Sequence, residues 1–430
     1  MNQPVKKLSQ WLEWLENTRP ETDIDLGLER IHKVAESLEV LKPAPFIVTV
    51  AGTNGKGSTV ALLEAMLLSA GHRVGVFTSP HFLRFNERIR INGEMVADQP
   101  LCSAFEQIDQ GRGSTGLTYF EFCTLAALIC FKEQPLDYVV LEVGLGGRLD
   151  ATNVVDHDVS VITTIGLDHQ DWLGYSLEAI GAEKAGIIRQ EKPVVYGALS
   201  MPQSIARKGI ELEAPLFRRG REFQAVRHDD DWFWSGQTAQ GESLELNGLP
   251  LPQLELENAA TALQVLQFLP DVPDRQSVEQ GLVQASLPGR AQKLQWRNAS
   301  GQLIDVMLDV SHNPQAVEKL AKRLEREPVS GKTHAVLAMC SDKDHVSVID
   351  LLAPWVDGWT ATAFDSPRSL SVAVLTKALE RTSAEIQTAG SVKDAFISAV
   401  DNAVVGDRVL VSGSFMTVAD VLAAFEQHGM

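Results

Sequence analysis

Short apolar runs alternate with helical apolar stripes along most of the chain, and this alternation predicts the fold. The run at residues 46–50 precedes a glycine-rich turn, and a helical pattern through Leu67 follows it. Similar runs at 73–78, 137–142 and 159–165 each end in polar residues. Strands that alternate with helices predict an α/β fold, a doubly wound, mostly parallel sheet with helices on both faces.

Other segments receive simpler predictions. Residues 8–18 carry a Trp/Leu stripe that predicts a packed helix, and a capping-type start at Thr22 predicts a second helix through Leu38. We expect a helix over 177–189 and a β-hairpin around Trp232-Phe233-Trp234.

A turn sequence near residue 287 predicts a domain boundary. Leu287-Pro288-Gly289-Arg290 is followed by a new series of alternating strand and helix patterns. The expected strands of this second, smaller doubly wound sheet are 304–308, 335–339, 358–363 and 408–411. A chain of 430 residues also favours two domains over one core. The predicted domains are residues 1–290 and 291–430.

Composition narrows the class of protein. A content of 44% hydrophobic and 22% charged residues is typical of globular proteins. The net charge of −18 argues against nucleic-acid binding, which needs a basic face, so any nucleotide site must be locally basic. Four cysteines form no C-x-x-C pair, and the longest apolar run, 125–131, is too short to span a bilayer. Residues 1–7 contain no apolar signal core, so we expect a cytoplasmic enzyme without membrane partners.

The turn A-G-T-N-G-K-G-S at residues 51–58 is the first candidate site. Glycines let backbone N–H groups converge on an anion, the helix N-terminus adds positive charge, and Lys56 can reach the β- and γ-phosphates. The general pattern G-x-x-x-x-G-K-[ST] is met imperfectly, because a valine stands five residues before Gly55 and Gly57 follows the lysine. A turn whose glycines serve only chain reversal is the alternative. The lysine and the hydroxyl residues favour phosphate binding.

Three strands bring polar residues to their carboxyl ends, where open α/β sheets bind ligands. Ser79 and His169 follow strands, and Glu142 ends a buried strand. A buried carboxylate is costly unless it is paired or binds a metal, and we interpret Glu142 as a metal ligand rather than an ion-pair partner. With phosphate oxygens, these side chains would form a Mg²⁺ shell. Turn residues without a ligand are the alternative, and histidine is an uncommon ligand for Mg²⁺.

Two sets of basic residues are interpreted as solvent-exposed from the residues alone. Arg84, Arg88 and Arg90 lie within one short segment, which is typical of a solvated face. Lys184 lies between small residues, but an exposed lysine on an amphipathic helix is the favoured interpretation.

Taken in order, these motifs resemble the folylpolyglutamate synthase/dihydrofolate synthase family, the folate branch of the Mur-ligase superfamily. The resemblance covers nearly the whole chain, and the segments that carry it are 51–58, 79–81, 141–153, 167–169, 183–186, 287–290 and 309–314. It implies a P-loop ATPase and folate-binding domain followed by a Rossmann-like glutamate-ligase domain. It also implies an ATP-dependent ligase, in which the γ-phosphoryl group passes to a substrate carboxylate and the amine of L-glutamate attacks the acyl phosphate.

The resemblance implies roles for individual residues. The triphosphate would be held by Thr53, Asn54, Gly55, Lys56, Gly57 and Ser58. Further ATP contacts are implied at Asn258, Arg290 and Asp309. The implied Mg²⁺ ligands are Ser79, Glu142 and His169. The pterin side of the substrate is expected at Asp23, Ile24, Asp25, Leu26, Thr118, Tyr119, Phe120, Glu121, Leu149, Asp150 and Ala151.

Lys184 is similar to the family's carbamylated lysine, which captures CO₂ and then holds a second Mg²⁺. Such a lysine must first lose its proton, and a desolvated site favours that loss. His312 is expected to help position nucleotide or glutamate. Lys56, Lys184 and His312 are therefore the candidate catalytic residues, and ATP with Mg²⁺ at two sites is the expected cofactor set.

The segment 118–121 resembles that of bifunctional enzymes, which use 7,8-dihydropteroate first and reduced folates later. A purely polyglutamylating enzyme shares most motifs and stays open. A peptidoglycan Mur ligase is disfavoured, because only 51 residues precede Gly52 and its UDP-binding domain needs more. A nucleotide-switched GTPase is disfavoured too, since Asp342-Lys343-Asp344-His345 lacks both ends of the guanine-reading motif. A monomer is expected from the family.

Overall fold

The computed structural model describes residues 6–428. Residues 1–5, part of the segment expected to lack a signal core, and residues 429–430, the end of the second predicted domain, lie outside the described residues. The chain forms two compact units, the first ending at Ser286 and the second beginning at Leu287. Each unit is described by itself.

The first unit is built on a mostly parallel sheet with the strand order β4-β3-β2-β5-β1-β6-β7-β8. Its strands are β1 (Phe46–Ala51), β2 (Val74–Phe77), β3 (Ile89–Ile91), β4 (Glu94–Met95), β5 (Tyr138–Glu142), β6 (Val159–Ile162), β7 (Val194–Tyr196) and β8 (Leu216–Arg218). A small antiparallel sheet follows, with β9 (Gln224–Arg227), β10 (Asp231–Gln237) and β11 (Ser243–Pro250).

Strand β1 lies in the middle of this sheet, and this central position explains why its sequence is so rich in β-branched residues. Val48 is level with Val140 of β5 on one side and with Val159 of β6 on the other. Strands of a parallel sheet are buried on both faces, which selects continuous apolar runs. The order β2-β5-β1-β6 brings the predicted polar strand ends to one edge, as expected, and it confirms the predicted fold class.

Helices cover the sheet of the first unit. They are α1 (Leu8–Thr18), α2 (Glu29–Ser37), α3 (Lys56–Ser69), α4 (Asp98–Gly111), α5 (Tyr119–Lys132), α6 (Gln170–Leu173), α7 (Leu177–Lys184), α8 (Gln203–Glu211), α9 (Leu256–Leu266) and α10 (Arg275–Gln284). The main apolar core includes residues of α1, α2, α4 and α5. Short 3₁₀ turns occur at Phe85–Arg88, Ala151–Val154 and Ala185–Ile187.

Several predicted boundaries shift. The second helix begins at Glu29 rather than near Thr22, so residues 22–28 are irregular. The helix expected to reach residue 189 ends at Lys184 and continues as a 3₁₀ turn. The predicted hairpin is confirmed: Trp232 and Trp234 lie in β10, which pairs with β11, and both are buried.

The second unit is a smaller α/β sheet with the order β12-β13-β17-β14-β15-β16. Its strands are β12 (Gln292–Arg297), β13 (Leu303–Asp309), β14 (Thr333–Leu337), β15 (Gly358–Ala361), β16 (Glu385–Thr388) and β17 (Arg408–Ser412). Its helices are α11 (Pro314–Arg326), α12 (His345–Leu352), α13 (Val372–Leu379), α14 (Val392–Asn402) and α15 (Phe415–Gln427), with a 3₁₀ turn at Ala353–Trp355.

The two edge strands of this sheet were not predicted. Strand β12 runs antiparallel to β13, while the remaining neighbours are parallel. Edge strands face solvent, so β12 and β16 carry mostly polar residues and lack the apolar run that marks the central strands. The predicted architecture is confirmed, and only its edges were missed.

Two further features bear on the expectations from composition. All four cysteines carry free thiols. Across residues 6–428, none of the helices combines the length and the apolar character that crossing a membrane requires.

Candidate active site

The glycine-rich turn joins the end of β1 to the start of α3. Gly55 has a φ of 88°, a left-handed conformation that favours glycine, and Lys56 begins the helix. The loop is fixed to the end of β6: Thr163 Oγ1 donates to the carbonyl of Asn54 at 2.7 Å, and the Thr53 N–H donates to the Thr164 carbonyl at 2.8 Å. The strand-to-helix geometry leaves a helix N-terminus for an anion.

Residues 163 and 164 were missed by the sequence analysis. Thr164 Oγ1 also accepts from the Asn54 N–H at 3.0 Å, so two adjacent hydroxyls hold the loop. The pair of threonines directly after a buried strand was the available signal. The hydroxyl of Thr53, a predicted triphosphate contact, accepts from the Gly166 N–H at 3.0 Å.

Two lysines converge on one carbonyl of this loop. Lys56 Nζ and Lys184 Nζ each lie 3.0 Å from the oxygen of Gly52. Lys184 is 4% exposed, so its interpretation as an exposed helix lysine is wrong. Burial, and secondly the charge of Lys56, lower the pKa of Lys184 to about 7. A substantial fraction of this amine is therefore neutral near pH 7, which is the form that can capture CO₂.

Two of the predicted metal ligands, Glu142 and Ser79, are in contact at the end of β5, whereas His169 lies seven residues beyond the end of β6. Glu142 is 5% exposed, and its Oε2 accepts from the backbone N–H of Ser79 at 3.3 Å. His169 caps α6 in a left-handed conformation with a φ of 50°. In the part of the chain that the structure describes, no three His, Cys, Asp or Glu side chains form a metal-binding group. A buried carboxylate beside a serine fits Mg²⁺, which keeps waters and phosphate oxygens rather than an all-protein cage.

The predicted pterin segments lie together around the start of α5. Thr118 and Glu121 form its capping box, with the Thr118 N–H donating to Glu121 Oε2 at 2.7 Å. Tyr119 is buried, and the ring of Phe120 lies so close to Gly144 that a Cβ there would come within 2.6 Å of it. Segment 118–121 therefore packs directly on the loop that contains residues 149–151.

Asp150 uses its carboxylate inside that loop. It accepts from the Leu145 N–H at 2.9 Å and from the Thr152 N–H at 3.0 Å, and burial raises its pKa. Ala151 is buried and Leu149 is half-buried. Among residues 149–151, Leu149 is thus the side chain with the most access to a substrate.

Residues 23–26 are irregular and half-buried or exposed. Asp23 and Asp25 pair with Arg19 at 2.8 and 3.3 Å. Asp25 and Glu121 also share a second partner, Arg30, which the sequence analysis missed because 91 residues separate it from Glu121.

The arginine cluster after β2 requires a correction. Arg88 is 1% exposed and bonds Glu21 at 2.6 Å and His81 Nδ1 at 2.8 Å. Arg90 pairs with Glu64 at 2.6 Å. The interpretation as a solvated face is therefore wrong for these two arginines, because their partners come from distant segments.

Asn258 lies in the first turn of α9, beside the glycine-rich turn. A Cβ on Gly55 would lie 2.5 Å from the Asn258 side-chain oxygen, so the two residues are in close contact. The predicted ATP contact at Asn258 thus lies beside the glycine-rich turn.

The second unit brings its predicted residues together at the end of β13. Asp309 accepts from the N–H groups of Ala291, at 2.8 Å, and Ser311, at 2.9 Å. Arg290 lies over the ring of Phe415, with its Cζ 5.4 Å from the ring centroid. His312 Nδ1 lies 2.8 Å from the Val310 carbonyl.

Two family models match the chain. The Mur ligase middle domain matches residues 50–209, and the Mur ligase glutamate ligase domain matches residues 289–415. A dihydrofolate synthase/folylpolyglutamate synthase of Escherichia coli (strain K12) is 44% identical over 424 residues, which is 99% of this chain and 97% of that protein.

Solved structures agree with this result. A structure described as E. coli FolC in complex with DHPP and ADP has a TM-score of 0.93 and 43% identity, with full coverage of both chains. A bifunctional folylpolyglutamate synthase/dihydrofolate synthase from Yersinia pestis, complexed with AMPPNP and Mn ion, has a TM-score of 0.90 and 46% identity. That likeness covers 99% of this chain and 100% of the Yersinia chain.

Proposed function

This chain belongs to the dihydrofolate synthase/folylpolyglutamate synthase family, and from that premise we propose how its residues perform the reaction. The chain is an ATP-dependent ligase that adds L-glutamate to 7,8-dihydropteroate and to reduced folates. The observation that carries the residue assignments is the sheet edge at the ends of β1 and β5. Glu142 ends β5, and both Lys56 and Lys184 bond the Gly52 carbonyl just after β1. A carboxylate becomes an acylating agent only after phosphorylation, and that step depends on positioning and charge neutralisation.

The phosphate loop performs the first of these tasks. Residues 53–58 would bind the triphosphate, with the backbone N–H donors coming from the start of α3, because the N–H groups of Thr53 and Asn54 bond Thr164. Lys56 would exchange its bonds to the Gly52 and Thr53 carbonyls for bonds to phosphate oxygens. Asn258, in contact with Gly55, would add an amide contact to the nucleotide.

Mg²⁺, when bound, neutralises phosphate charge during transfer. Ser79, Glu142 and His169 are the proposed ligands of a first ion. Lys184 would hold a second ion after carbamylation, because a carbamate carries a negative charge where the free amine carries none. The low pKa and the burial of Lys184 support this assignment.

The acceptor and the amino acid complete the reaction. The acceptor carboxylate takes the γ-phosphoryl group and ADP leaves. The glutamate nitrogen then bonds to the acyl carbon, loses a proton, and phosphate departs with the former carboxylate oxygen. We propose residues 23–26, 118–121 and 149–151 for the pterin, and for the second unit nucleotide contacts at Arg290 and Asp309 and substrate positioning at His312.

Domain roles follow from the same argument. The first unit would bind ATP and folate, and the second unit, which begins at Leu287 rather than at the expected residue 291, would serve the glutamate-ligating step. We further propose a cytoplasmic monomer, consistent with free thiols and a net charge of −18. A mass near 47.0 kDa in light scattering and recovery in the cytoplasmic fraction would support these two points.

The decisive experiment is glutamate-dependent ADP release from Mg-ATP with 7,8-dihydropteroate or tetrahydrofolate as acceptor. We expect turnover with both, and loss of both in Lys56→Ala, because one phosphate loop serves both reactions. Lys208→Ala is the matched control, since Lys208 pairs with the surface residue Glu211 on the same helix.

Two other outcomes would change the proposed function. Turnover with tetrahydrofolate alone would identify a purely polyglutamylating enzyme. Turnover with neither acceptor would refute the folate assignment.

A further inference from the structure

We propose that Arg30 is a positioning residue for the pterin substrate, because it ties together two of the segments proposed to bind that substrate. The inference rests on the proposed function, which assigns residues 23–26 and 118–121 to the pterin. Arg30 itself is not proposed to touch the substrate. It would act through Asp25 and Glu121.

The guanidinium of Arg30 uses all three of its nitrogens on these segments. Nη2 donates to the backbone carbonyl of Asp25, and Nη1 lies 2.8 Å from Asp25 Oδ2. Nε donates to Glu121, with distances of 3.3 and 3.4 Å to the two carboxylate oxygens. Arg30 therefore fixes both the backbone and the side chain of Asp25 relative to the start of α5.

Glu121 is a rigid reference point for this bridge. Its side chain is buried, and it accepts from the Thr118 N–H while its own N–H donates to Thr118 Oγ1 at 3.2 Å. A buried carboxylate requires a cationic or hydrogen-bonding partner. Arg30 supplies the positive charge, so the capping box of α5 and segment 23–26 are held by one group.

Within residues 6–428, the side-chain bonds to segment 23–26 come from Arg19 and Arg30. It belongs to neither helix nor strand, and Asp23 and Asp25 are exposed. Arg19 pairs with both aspartates, but those bonds link residues at most six positions apart in the same stretch of chain. The bridge through Arg30 spans 91 positions and reaches a second substrate segment.

A guanidinium suits this task and an ammonium does not. Arginine presents planar donors in a fixed fork, whereas lysine offers a single point charge on a flexible stem. Four acceptor oxygens on two segments need the fork. Arg30→Lys should therefore keep the charge but lose part of the bridge.

The test is steady-state kinetics of the full-length chain with 7,8-dihydropteroate and Mg-ATP varied separately. Arg30→Met keeps the length of the stem and removes the donors. We expect its KM for 7,8-dihydropteroate to rise at least tenfold, with the KM for Mg-ATP within twofold of wild type. The KM of Arg30→Lys for 7,8-dihydropteroate should fall between those of wild type and Arg30→Met. A general loss of structure would instead change both KM values.

Arg19→Met is the matched control, because Arg19 is buried to a similar extent and also pairs with Asp25, yet its bonds stay within one stretch. We expect its KM for 7,8-dihydropteroate to rise less than threefold. Arg30→Met should also add less than threefold to a Glu121→Gln variant, because the bridge is already weakened there. If Arg30→Met does not fold, the inference is tested by comparing the KM values of Arg30→Lys for 7,8-dihydropteroate and for Mg-ATP.

An unchanged KM for 7,8-dihydropteroate in Arg30→Met, equal rises in both KM values, or an equal rise in Arg19→Met would each overturn the inference alone. Failure of the wild-type chain to use 7,8-dihydropteroate would overturn the proposed use of that acceptor, and the inference with it. The two failures are distinguished by the wild-type assay.

Discussion

Lys184 shows how one residue changes its chemistry through its surroundings. Its ammonium group is buried and donates to the Gly52 carbonyl, which also accepts from Lys56. Two positive charges near one acceptor, in a site of low polarity, favour the neutral form of the more buried amine. The pKa of Lys184 is thereby lowered to about 7, which supports the proposed carbamylation of this lysine.

Replacement of Lys184 tests the proposed carbamate. Lys184→Ala should lower kcat by at least a hundredfold, because the anion proposed to hold the second Mg²⁺ is lost. A small carboxylate such as acetate should restore part of the activity, since it can occupy the space and supply an equivalent anion. The measurement is ADP release from the variant with increasing acetate at constant ionic strength.

Lys192→Ala is the control for this experiment, because Lys192 is a partly exposed lysine paired with Asp158. It should keep full activity and show no response to acetate. Full activity in Lys184→Ala would contradict the role of the carbamate.

At the scale of elements, the loop after β5 is shaped by its contact with α7. The Arg148 N–H donates to the Glu183 carbonyl at 2.8 Å, and a Cβ on Gly147 would lie 2.9 Å from that same oxygen. A Cβ on Gly186 would overlap the Cα and Cβ of Arg148. Glycines at these positions allow the loop and the end of α7, which carries Lys184, to approach closely.

Gly186→Ala should separate these two elements. The added methyl group meets backbone atoms that cannot move independently, and overpacking of this kind costs about 1–3 kcal/mol. We expect a lower melting temperature and a clear loss of kcat, because Lys184 moves with α7. Calorimetry and the ADP assay on the same preparation measure both effects.

Gly116→Ala serves as the comparison, since no atom lies within 4 Å of the position a Cβ would take there. It should behave as wild type. Equal effects of the two substitutions would show that the close contact with Arg148 is unimportant.

At the scale of the whole molecule, stability must depend on pH through buried groups as well as surface charge. His157 is buried, its Nε2 bonds Ser160 Oγ at 2.9 Å, and its Nδ1 has no partner among the described residues. Burial, and secondly the charge of Arg189, lower the pKa of His157 to about 3. The folded chain therefore excludes a proton that the unfolded chain binds below pH ~6.5.

The sign of this effect follows from proton linkage. The contribution of His157 is fully present above pH ~6.5 and is lost as the pH falls from there toward the folded pKa, by about 1.4 kcal/mol per pH unit. We expect the free energy of unfolding in urea to decrease from pH 7 to pH 5.5 (roughly the range above carboxylate titration). His157→Gln should make this decrease less steep, by the amount that corresponds to about one fewer proton taken up on unfolding.

His228→Gln is the control, because the side chain of His228 is 57% exposed. It should leave the pH dependence of unfolding unchanged. A wild-type slope in His157→Gln would contradict the assignment.

Local patterns were enough to predict much of the candidate site. The glycine-rich turn after β1, the polar residues after Phe77 and at Glu142, and the polar segment that begins at Asp309 all follow from strand ends and glycine positions. The polar edge strands β12 and β16 escaped because they lack an apolar run. Neither the start of α2 nor the end of α7 could be placed, since tertiary packing decides where a weak helical pattern stops.

The sequence by itself determined the order of the strands along the chain, the glycine-rich turn at residues 51–58 and the polar residues at the strand ends, because these depend on neighbours a few residues apart. Only the tertiary structure decided the burial of Lys184, the ion pairs of Arg88 and Arg90, and the bridge from Arg30 to Glu121. Charged side chains look alike in a sequence whether they face water or a distant partner. Their roles are set when the sheet and its helices bring segments separated by many residues into contact.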